Sequence, residues 1–542
     1  MIILEIFREK YAIMSLVLLI RTQGRTIPRA KWIKGRTHRA SGLCCGIQSE
    51  EIMEAFLDNL RTVGGFVSGH LILWNMLFAI VIVFFERKEP RSVWAWLLLL
   101  YFIPFLGFLF YLLLGTDMHK RKMFRMKEVE DRLNEEVRGQ EHRLLSRRPG
   151  EKDEEIDRYR DLIMYNLESS GAMLTSDNEI KIYSDGNAKF DALIEDMRQA
   201  RKFIHMEYYI IKNDVLFQRI IEVLKEKAQE GVEVRILFDS MGCRTVKNRF
   251  WRQLNSWGIQ TAEFFPALLG RLQLRVNYRN HRKIVVIDNK VGYVGGFNVG
   301  KEYLGLDERF GYWRDTHLRI AGGAVFGLQL RFILDWNYAA EQNLFTAGNY
   351  LEEINTHNQK GCKVQIISSG PDNTQKQIRD NYLQLIHGAK RRISIQTPYF
   401  IPDESVMSAL MIAIRSGVEV RVMIPCKPDH PFVYWATYSY MGDLVMAGAS
   451  CYTYDEGFLH SKGLVVDEEV FCYGTANMDI RSFSLNFEVN AVVYDRGMAQ
   501  KMTDLFARDL EHCSQVTQES YASRSLKIRV REQICRLLSP LL

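Results

Sequence analysis

No C-x-x-C pair occurs in the 542 residues, and the nine cysteines are odd in number and scattered from Cys44 to Cys535. That excludes a disulfide framework and a structural zinc site, and it points to free thiols in a reducing compartment. There is no H-E-x-x-H and no EF-hand loop, so no metal is expected. Gly295-Gly-Phe-Asn-Val-Gly300 departs from the G-x-G-x-x-G fingerprint, so no dinucleotide or other cofactor is expected either. Low-complexity tracts are missing, since hydrophobic residues make up 47% and charged residues 25% of the chain, a globular balance. A basic body is missing as well. Lys and Arg (71) exceed Asp and Glu (65) by +6, and residues 1–50, with nine basic and three acidic side chains, carry all of that excess. The remainder is neutral, which disfavours a nucleic-acid-binding protein.

Two stretches contain no Asp, Glu, Lys or Arg: residues 63–85 (23 residues) and 92–116 (25 residues). At ~1.5 Å rise per residue, each could cross a ~30 Å hydrocarbon core. A pair of buried core helices is the alternative, but uncharged runs of this length are rare in soluble chains. Pro104 interrupts the second run, a kink that membrane helices tolerate. Basic residues at 21–39 and 120–127 place both flanks in the cytoplasm and the loop at 86–91 outside. Residues 11–20 are apolar but too short to span. The expected organisation is a basic extension (1–62), two transmembrane helices (63–116), a charged helical linker (117–170), two α/β halves (171–345 and 346–525) and an amphipathic basic tail (526–542). The tail either packs on the domain or lies on anionic lipid. The expected location is the cell membrane, multi-pass, with the bulk of the chain cytoplasmic.

The halves are visible as a repeat. Gly231-Val-Glu-Val-Arg235 returns as Gly417-Val-Glu-Val-Arg421, each copy preceded by an apolar strand-like run and a helix-period stretch (216–230 and 405–416). Strand, helix, strand with short connections is a βαβ unit, so each half is expected to hold a central mixed sheet. A second repeat carries chemistry. His281-x-Lys283-x4-Asp288 matches His460-x-Lys462-x4-Asp467, and seven residues after each Asp begins a Gly-rich turn, Gly295-Gly-Phe-Asn298 or Gly474-Thr-Ala-Asn477. His, Lys, Asp, Gly and Asn all recur at an offset of 179.

The i, i+2 spacing puts His and Lys on one side of an extended strand, with the apolar run after them as its buried body. An imidazole beside an ammonium, twice over, makes an anion site with titratable nitrogens. That suits a phosphodiester: Lys283 and Lys462 neutralise its oxygens, one His attacks, and the other protonates the leaving oxygen. Asn298 and Asn477 can donate to a phosphoryl oxygen. For Asp288 and Asp467, a catalytic role and a turn-capping role stand side by side. Both motifs in one chain imply one site at a pseudo-twofold interface, so a monomer suffices.

On residues 280–288, 295–298, 312–315, 457–462, 474–482 and 486–488, the chain resembles the phospholipase D superfamily and, within it, the membrane-anchored bacterial cardiolipin synthases. The resemblance implies a duplicated phospholipase D-like α/β fold with one shared active site, preceded by a transmembrane hairpin. It implies metal-free transfer: His281 attacks the phosphorus of phosphatidylglycerol, glycerol leaves, and a second phosphatidylglycerol hydroxyl attacks the phosphatidyl-histidine, with His460 as acid and then base. The acids that orient the histidines in that family fall on Asp315, 34 residues after His281, and Glu488, 28 residues after His460. Phosphatidylglycerol and anionic membrane lipid are the implied partners, and nucleic acid is not. Ser461 and Gly463 depart from the family's Ala and Thr; neither removes a catalytic atom, and Gly463 costs strand rigidity of ~0.5–1 kcal/mol. A hydrolytic phospholipase D using water, an endonuclease and a non-catalytic membrane scaffold are the competing readings. His205, Glu207, Tyr399 and Phe400 read as core or supporting residues, and His317 as a strand residue with a structural hydrogen bond.

Overall fold

The computed structural model describes residues 71–84, 90–114, 135, 137–144, 153–266, 278–347, 350–351 and 361–539. The basic extension, the first apolar run before residue 71, most of the loop between the runs and much of the linker lie outside the described residues. The chain divides into two units, the first ending at Phe105 and the second beginning at Leu106.

The apolar runs form helices α1 (Leu71–Phe84), α2 (Pro90–Phe102) and α3 (Pro104–Leu114). Among the described residues no helix is long and apolar enough to cross a membrane. Helix α1 has 14 residues, and the second run is divided into helices of 13 and 11. The division has a local cause. Pro104 has no N–H to give to Leu100 O, and the residue before a proline is pushed out of the helical region. Asn75 of α1 supplies the missing donor, its Nδ2 lying 3.1 Å from Leu100 O. Large apolar side chains point outward: Leu73, Met76, Phe84, Trp94, Tyr101, Phe102 and Phe105 are 62–77% exposed.

The second unit has one large sheet and, apart from it, two pairs of two-residue strands. Its first half contributes β1 (Thr175–Tyr183), β2 (Phe203–Tyr208), β3 (Glu233–Asp239), β4 (Ile259–Phe264), β5 (Arg279–Asn280), β6 (Ile284–Ile287), β7 (Val291–Gly295), β8 (Trp313–Arg314) and β9 (His317–Ala321). The second half contributes β10 (Cys362–Ser369), β11 (Arg392–Gln396), β12 (Phe400–Ile401), β13 (Glu419–Pro425), β14 (Ser450–Tyr454), β15 (Phe458–Leu459), β16 (Gly463–Val466), β17 (Val470–Gly474), β18 (Met478–Asp479), β19 (Asn486–Tyr494) and β20 (Cys513–Val516).

The order β4-β3-β2-β6-β7-β9-β1 in one half is repeated as β14-β13-β11-β16-β17-β19-β10 in the other, and β20 extends the second edge. β4, β3 and β2 in one half and β14, β13 and β11 in the other are parallel, and the remaining pairs of the large sheet's repeated order, with β20, are antiparallel. Two separate central sheets were expected; antiparallel pairing of β1 with β10 fuses them into one.

Alternation along the strands sets the layers. Ile204, Met206 and Tyr208 of β2, with Val285 and Ile287 of β6, pack under the helices Gly186–Arg198 and Val215–Gln229. Phe203 and Ile284 face the opposite way, into a core that also takes Phe332 and Trp336 and, from the second half, Phe471, Phe487, Val489 and Ala491. That shared core is where the halves meet. The repeated glycines are helix stops: Gly231 and Gly417 sit at φ +89° and +86° immediately after helix ends, a conformation that costs other residues ~1–2 kcal/mol.

The hairpin turns after β6 and β16 are also twins. Asp288-Asn289 and Asp467-Glu468 lie at φ between 53° and 56°, the left-handed pair of a type I′ turn. Asp288 accepts from the backbone N–H of Arg201, Lys202 and Phe203 (2.7–2.8 Å). Asp467 accepts from those of Lys390, Arg391 and Arg392 (2.7–2.9 Å) and pairs with Arg158. Both carboxylates thus fasten the far end of the motif strand to the start of its neighbour. Of the two roles open for Asp288 and Asp467, their bonds are those of turn-fastening carboxylates and not of catalytic groups, because the i+5 position from the lysine lies beyond the strand body. Asp288→Ala should lower stability by about 2–4 kcal/mol, the loss of charge-assisted bonds to three N–H groups, with turnover per folded molecule unchanged. Thermal melts read beside rates at 20–25 °C check this; a large drop in kcat at unaltered Tm would contradict it.

Candidate active site

Two short strands leave their own half. β5 runs parallel to β19, pairing Asn280 with Phe487, and β15 runs parallel to β8, pairing Leu459 with Arg314. The ladder continues by one residue: His281 N–H donates to Phe487 O (2.9 Å) and His460 N–H to Arg314 O (2.7 Å). The residue after each acceptor is an acid. His281 Nδ1 lies 2.9 Å from both oxygens of Glu488, and His460 Nδ1 lies 2.7 Å from Asp315 Oδ2. The resemblance located Asp315 after His281 and Glu488 after His460; the exchanged strands cross them, so each imidazole is held by a carboxylate of the other half.

The histidines are the outermost of these groups, at 9% and 8% exposure, whereas Lys283, Lys462, Asp315 and Glu488 are at most 1% exposed. Burial pushes both imidazoles down, to about 4, against the pull of their carboxylates. Burial raises Glu488 and Asp315, but the facing histidines and lysines outweigh it and hold both below the ordinary range. At neutral pH the site therefore holds two carboxylates and two neutral imidazoles. An ionised carboxylate only accepts, so Nδ1 carries the hydrogen and Nε2 keeps a lone pair.

Burial also lowers both lysines, Lys462 to about 8. Lys283 Nζ donates to His281 O (2.6 Å), and Lys462 Nζ donates to His460 O while standing 2.7 Å from His460 Nδ1. Each histidine also feels the lysine of the other motif, so the two motifs share one electrostatic site. Tyr209 packs edge-on against His281 (5.0 Å) and Trp313 against His460 (5.1 Å).

The expected asparagines are committed elsewhere. Asn298 accepts from Ile210 N–H (3.1 Å) and donates to Tyr303 Oη (3.0 Å); Asn477 donates to Asp479 (3.1 Å). They brace the loops beside the site. At the matched turn positions, Gly296 leaves room that Asp315 fills, since a Cβ there would lie 1.9 Å from Asp315 Oδ1. Its counterpart Thr475 instead donates from Oγ1 to the longer Glu488 (2.6 Å). Gly463 is a packing requirement and not a weakness: a Cβ would lie 2.5 Å from Cγ of Tyr473, whose hydroxyl donates to Gln396 (3.1 Å).

Beneath each histidine lies a buried Arg–Asp pair that the motifs did not announce. In one half-site Arg282, the middle residue of the first motif, pairs with Asp335 (2.5 Å) and donates to Glu488 O and Ser369 O (3.3 and 3.2 Å). In the other, the middle position is Ser461, and Arg314 takes over with a bidentate pair to Asp509 (2.7 Å each). Arg314 occupies the ladder position of Phe487, over whose ring Arg282 lies at 5.1 Å. Asp335 and Asp509 are buried acids on largely apolar helix faces, the first shared with Gln329, and that is the sequence signal they carry.

Other residues are structural. His205 is stacked on Phe332 (4.4 Å) and held by Gln329 (3.1 Å), and Glu207 accepts from Asn280 (2.6 Å). The hydrogen bond expected of His317 is absent; neither ring nitrogen has a partner among the described residues. Tyr399 donates to Asp429, and Phe400 is buried in β12. Among the described residues no cluster of His, Cys, Asp and Glu could hold a metal.

The two Arg–Asp arrangements should be interchangeable. Arg282→Ser strands Asp335 and should cost about 3–5 kcal/mol; adding Phe487→Arg, which copies the Arg314 arrangement, should recover most of it and the accompanying activity. Denaturant melts of the single and double variants decide, and a double variant no more stable than the single one would sink the equivalence.

Residues 193–309 and 382–510, each containing one motif, match the family model described as cardiolipin synthase, PLD-like domain, and residues 74–115 match the model described as phospholipase D-nuclease N-terminal. A cardiolipin synthase of Listeria welshimeri is 47% identical over 474 residues, covering 87% of this chain and 98% of the relative. One of Staphylococcus aureus is 49% identical over 470 residues, covering 86% and 95%. Among solved structures, phosphatidylserine synthase from Haemophilus influenzae Rd KW20 superposes with a TM-score of 0.53 at 14% identity, covering 72% of this chain and 98% of that one, so the two share a fold. With its paired motifs, fused sheet and relatives of this closeness, the chain belongs to the cardiolipin synthase family of phospholipase D-like enzymes.

Proposed function

We propose that the chain is a membrane-anchored phosphatidyltransferase that condenses two phosphatidylglycerol molecules into cardiolipin and glycerol. The observation that carries this reading is the pair of crossed imidazole–carboxylate couples with two buried lysines in one site. A phosphodiester anion between the lysines brings its phosphorus to His281 Nε2, which attacks as the P–O bond to glycerol breaks. His460 Nε2–H gives its proton to the leaving glycerol oxygen. The terminal hydroxyl of a second phosphatidylglycerol then loses its proton to His460 and attacks phosphorus, and the P–N bond breaks. Asp315 and Glu488 hold each ring by Nδ1, and Glu488 stabilises the positive charge that develops on His281. Halves 171–345 and 346–525 contribute one nucleophile or acid each.

Residues 63–116 form the anchor in this reading. Exposed apolar side chains on α1–α3 support it, as does the way Asn75 covers the carbonyl freed by Pro104, a matter of several kcal/mol where no water is present. Basic flanks put the catalytic unit on the cytoplasmic side.

The acid step requires a proton that neither imidazole holds at pH 7, since both are lowered to about 4. An incoming dianion or phosphodiester raises His460, so binding should take up close to one proton per site. Calorimetry with vanadate in buffers of different ionisation heat measures this, and zero uptake would refute His460 as the acid. On the basic side, Lys462 loses its charge as pH rises through about 8, so kcat/KM should fall there.

The activity itself is tested by lipid mass spectrometry of purified full-length protein in detergent–phosphatidylglycerol micelles. Cardiolipin plus glycerol is expected, reduced by at least ~10³-fold in His281→Ala. Phosphatidic acid without cardiolipin would replace the transferase by a hydrolytic phospholipase D.

A further inference from the structure

The helix Leu526–Leu537 is built inside out. It is capped by Ser525, whose side chain accepts from Ile528 N–H. Its inner face carries Glu532 and Cys535, 0% and 4% exposed, with Glu532 taking both its bonds from Arg524 Nε (2.8 and 2.9 Å). Its outer face carries Leu526, Val530, Ile534 and Leu537, exposed by 77%, 49%, 53% and 81%. At ~100° per residue these four fall within an arc of about 80°. Lys527 and Arg531 border the arc on one side and Arg529 on the other. The helix has no other acid than the buried, paired Glu532, so its outer surface bears positive charge alone.

Those charges choose among the possible occupants. An apolar strip between two basic borders matches acyl chains flanked by anionic headgroups, with the aliphatic side chains entering the interface and the cations staying at phosphate depth. The strip is also tied to the active site by one helix. Pro431–Ala447 packs against Cys535 through Ala436, pairs Asp443 with Arg536 (2.7 Å) and exposes Phe432 (58%) in its first turn. Just before that turn, Asp429 receives the Tyr399 hydroxyl and bears on the charge of Lys462.

We propose that the face formed by Leu526, Val530, Ile534 and Leu537 with its basic borders is a second, peripheral membrane contact, docking the catalytic unit onto an anionic leaflet. The identity of the leaflet lipid as substrate rests on the transferase reading above; the contact itself does not.

Full-length protein in nanodiscs containing phosphatidylglycerol is compared with the same protein in phosphatidylcholine nanodiscs, and trypsin cleavage after Lys527, Arg529 and Arg531 is followed by mass spectrometry. Phosphatidylglycerol should slow these cleavages at least about tenfold, and Val530→Glu/Ile534→Glu, at half-exposed positions, should abolish the difference while leaving the melting temperature unchanged. The same variant should turn over bilayer phosphatidylglycerol more slowly but match the wild type on dihexanoyl-phosphatidylglycerol kept monomeric. Equal cleavage in the two lipids would overturn the docking surface whether or not cardiolipin is made, and protection without cardiolipin would uphold the surface while counting against the transferase.

Discussion

Each imidazole is oriented by a carboxylate of the opposite half, and the site follows from that exchange. It is achieved with backbone, by two-residue strands that leave their own sheet neighbourhood and lie beside the strand carrying the other half's acid. Because β5 and β15 are paired before the motif begins, His281 and His460 enter the site with their main chains already fixed, and only the side-chain torsions remain to be set. The continuous sheet through β1 and β10 keeps the two exchanges in register, and the shared apolar core behind them prevents the halves from opening.

The duplication preserves topology while varying its contents. The cation beneath a histidine comes from the motif's middle position in one half-site and from the ladder neighbour in the other. A short acid meets a glycine and a long acid meets a threonine. Ile284 faces Val294, whereas Gly463 faces Tyr473. In each case volume or charge removed at one position returns at a partner across the ladder, as close packing and buried charge demand. The halves are alike in what they hold in place and unlike in how they do so.

Much of this was legible in the chain. The 179-residue offset exposed the duplicated motif, and the apolar run after each His-x-Lys is a buried strand as expected, although His281–Lys283 and His460–Lys462 themselves lie in the connections that lead into β6 and β16. The βαβ units stand where the Gly-Val-Glu-Val-Arg repeats put them. The crossing of the acids was not legible, since distance along the chain says nothing about which side of a pseudo-twofold axis a strand end reaches. For Asp288 and Asp467, recurrence with the motif left a chemical and a turn-capping role equally open; they recur because two alike hairpins need the same fastening. Fusion of the two sheets was equally hidden, for β1 and β10 carry no pairing signal beyond ordinary alternation.

The exchanged acids also bind the fates of the two halves. In a duplicated protein with self-sufficient copies, one copy can decay or take up new chemistry while the other carries on. Here, damage to either copy disarms a histidine in each place: its own directly, and its neighbour's through the missing carboxylate. The two sequences are free to differ in packing, as they do, but not to part company, and a gene fragment encoding one of them would yield an imidazole with nothing to hold it.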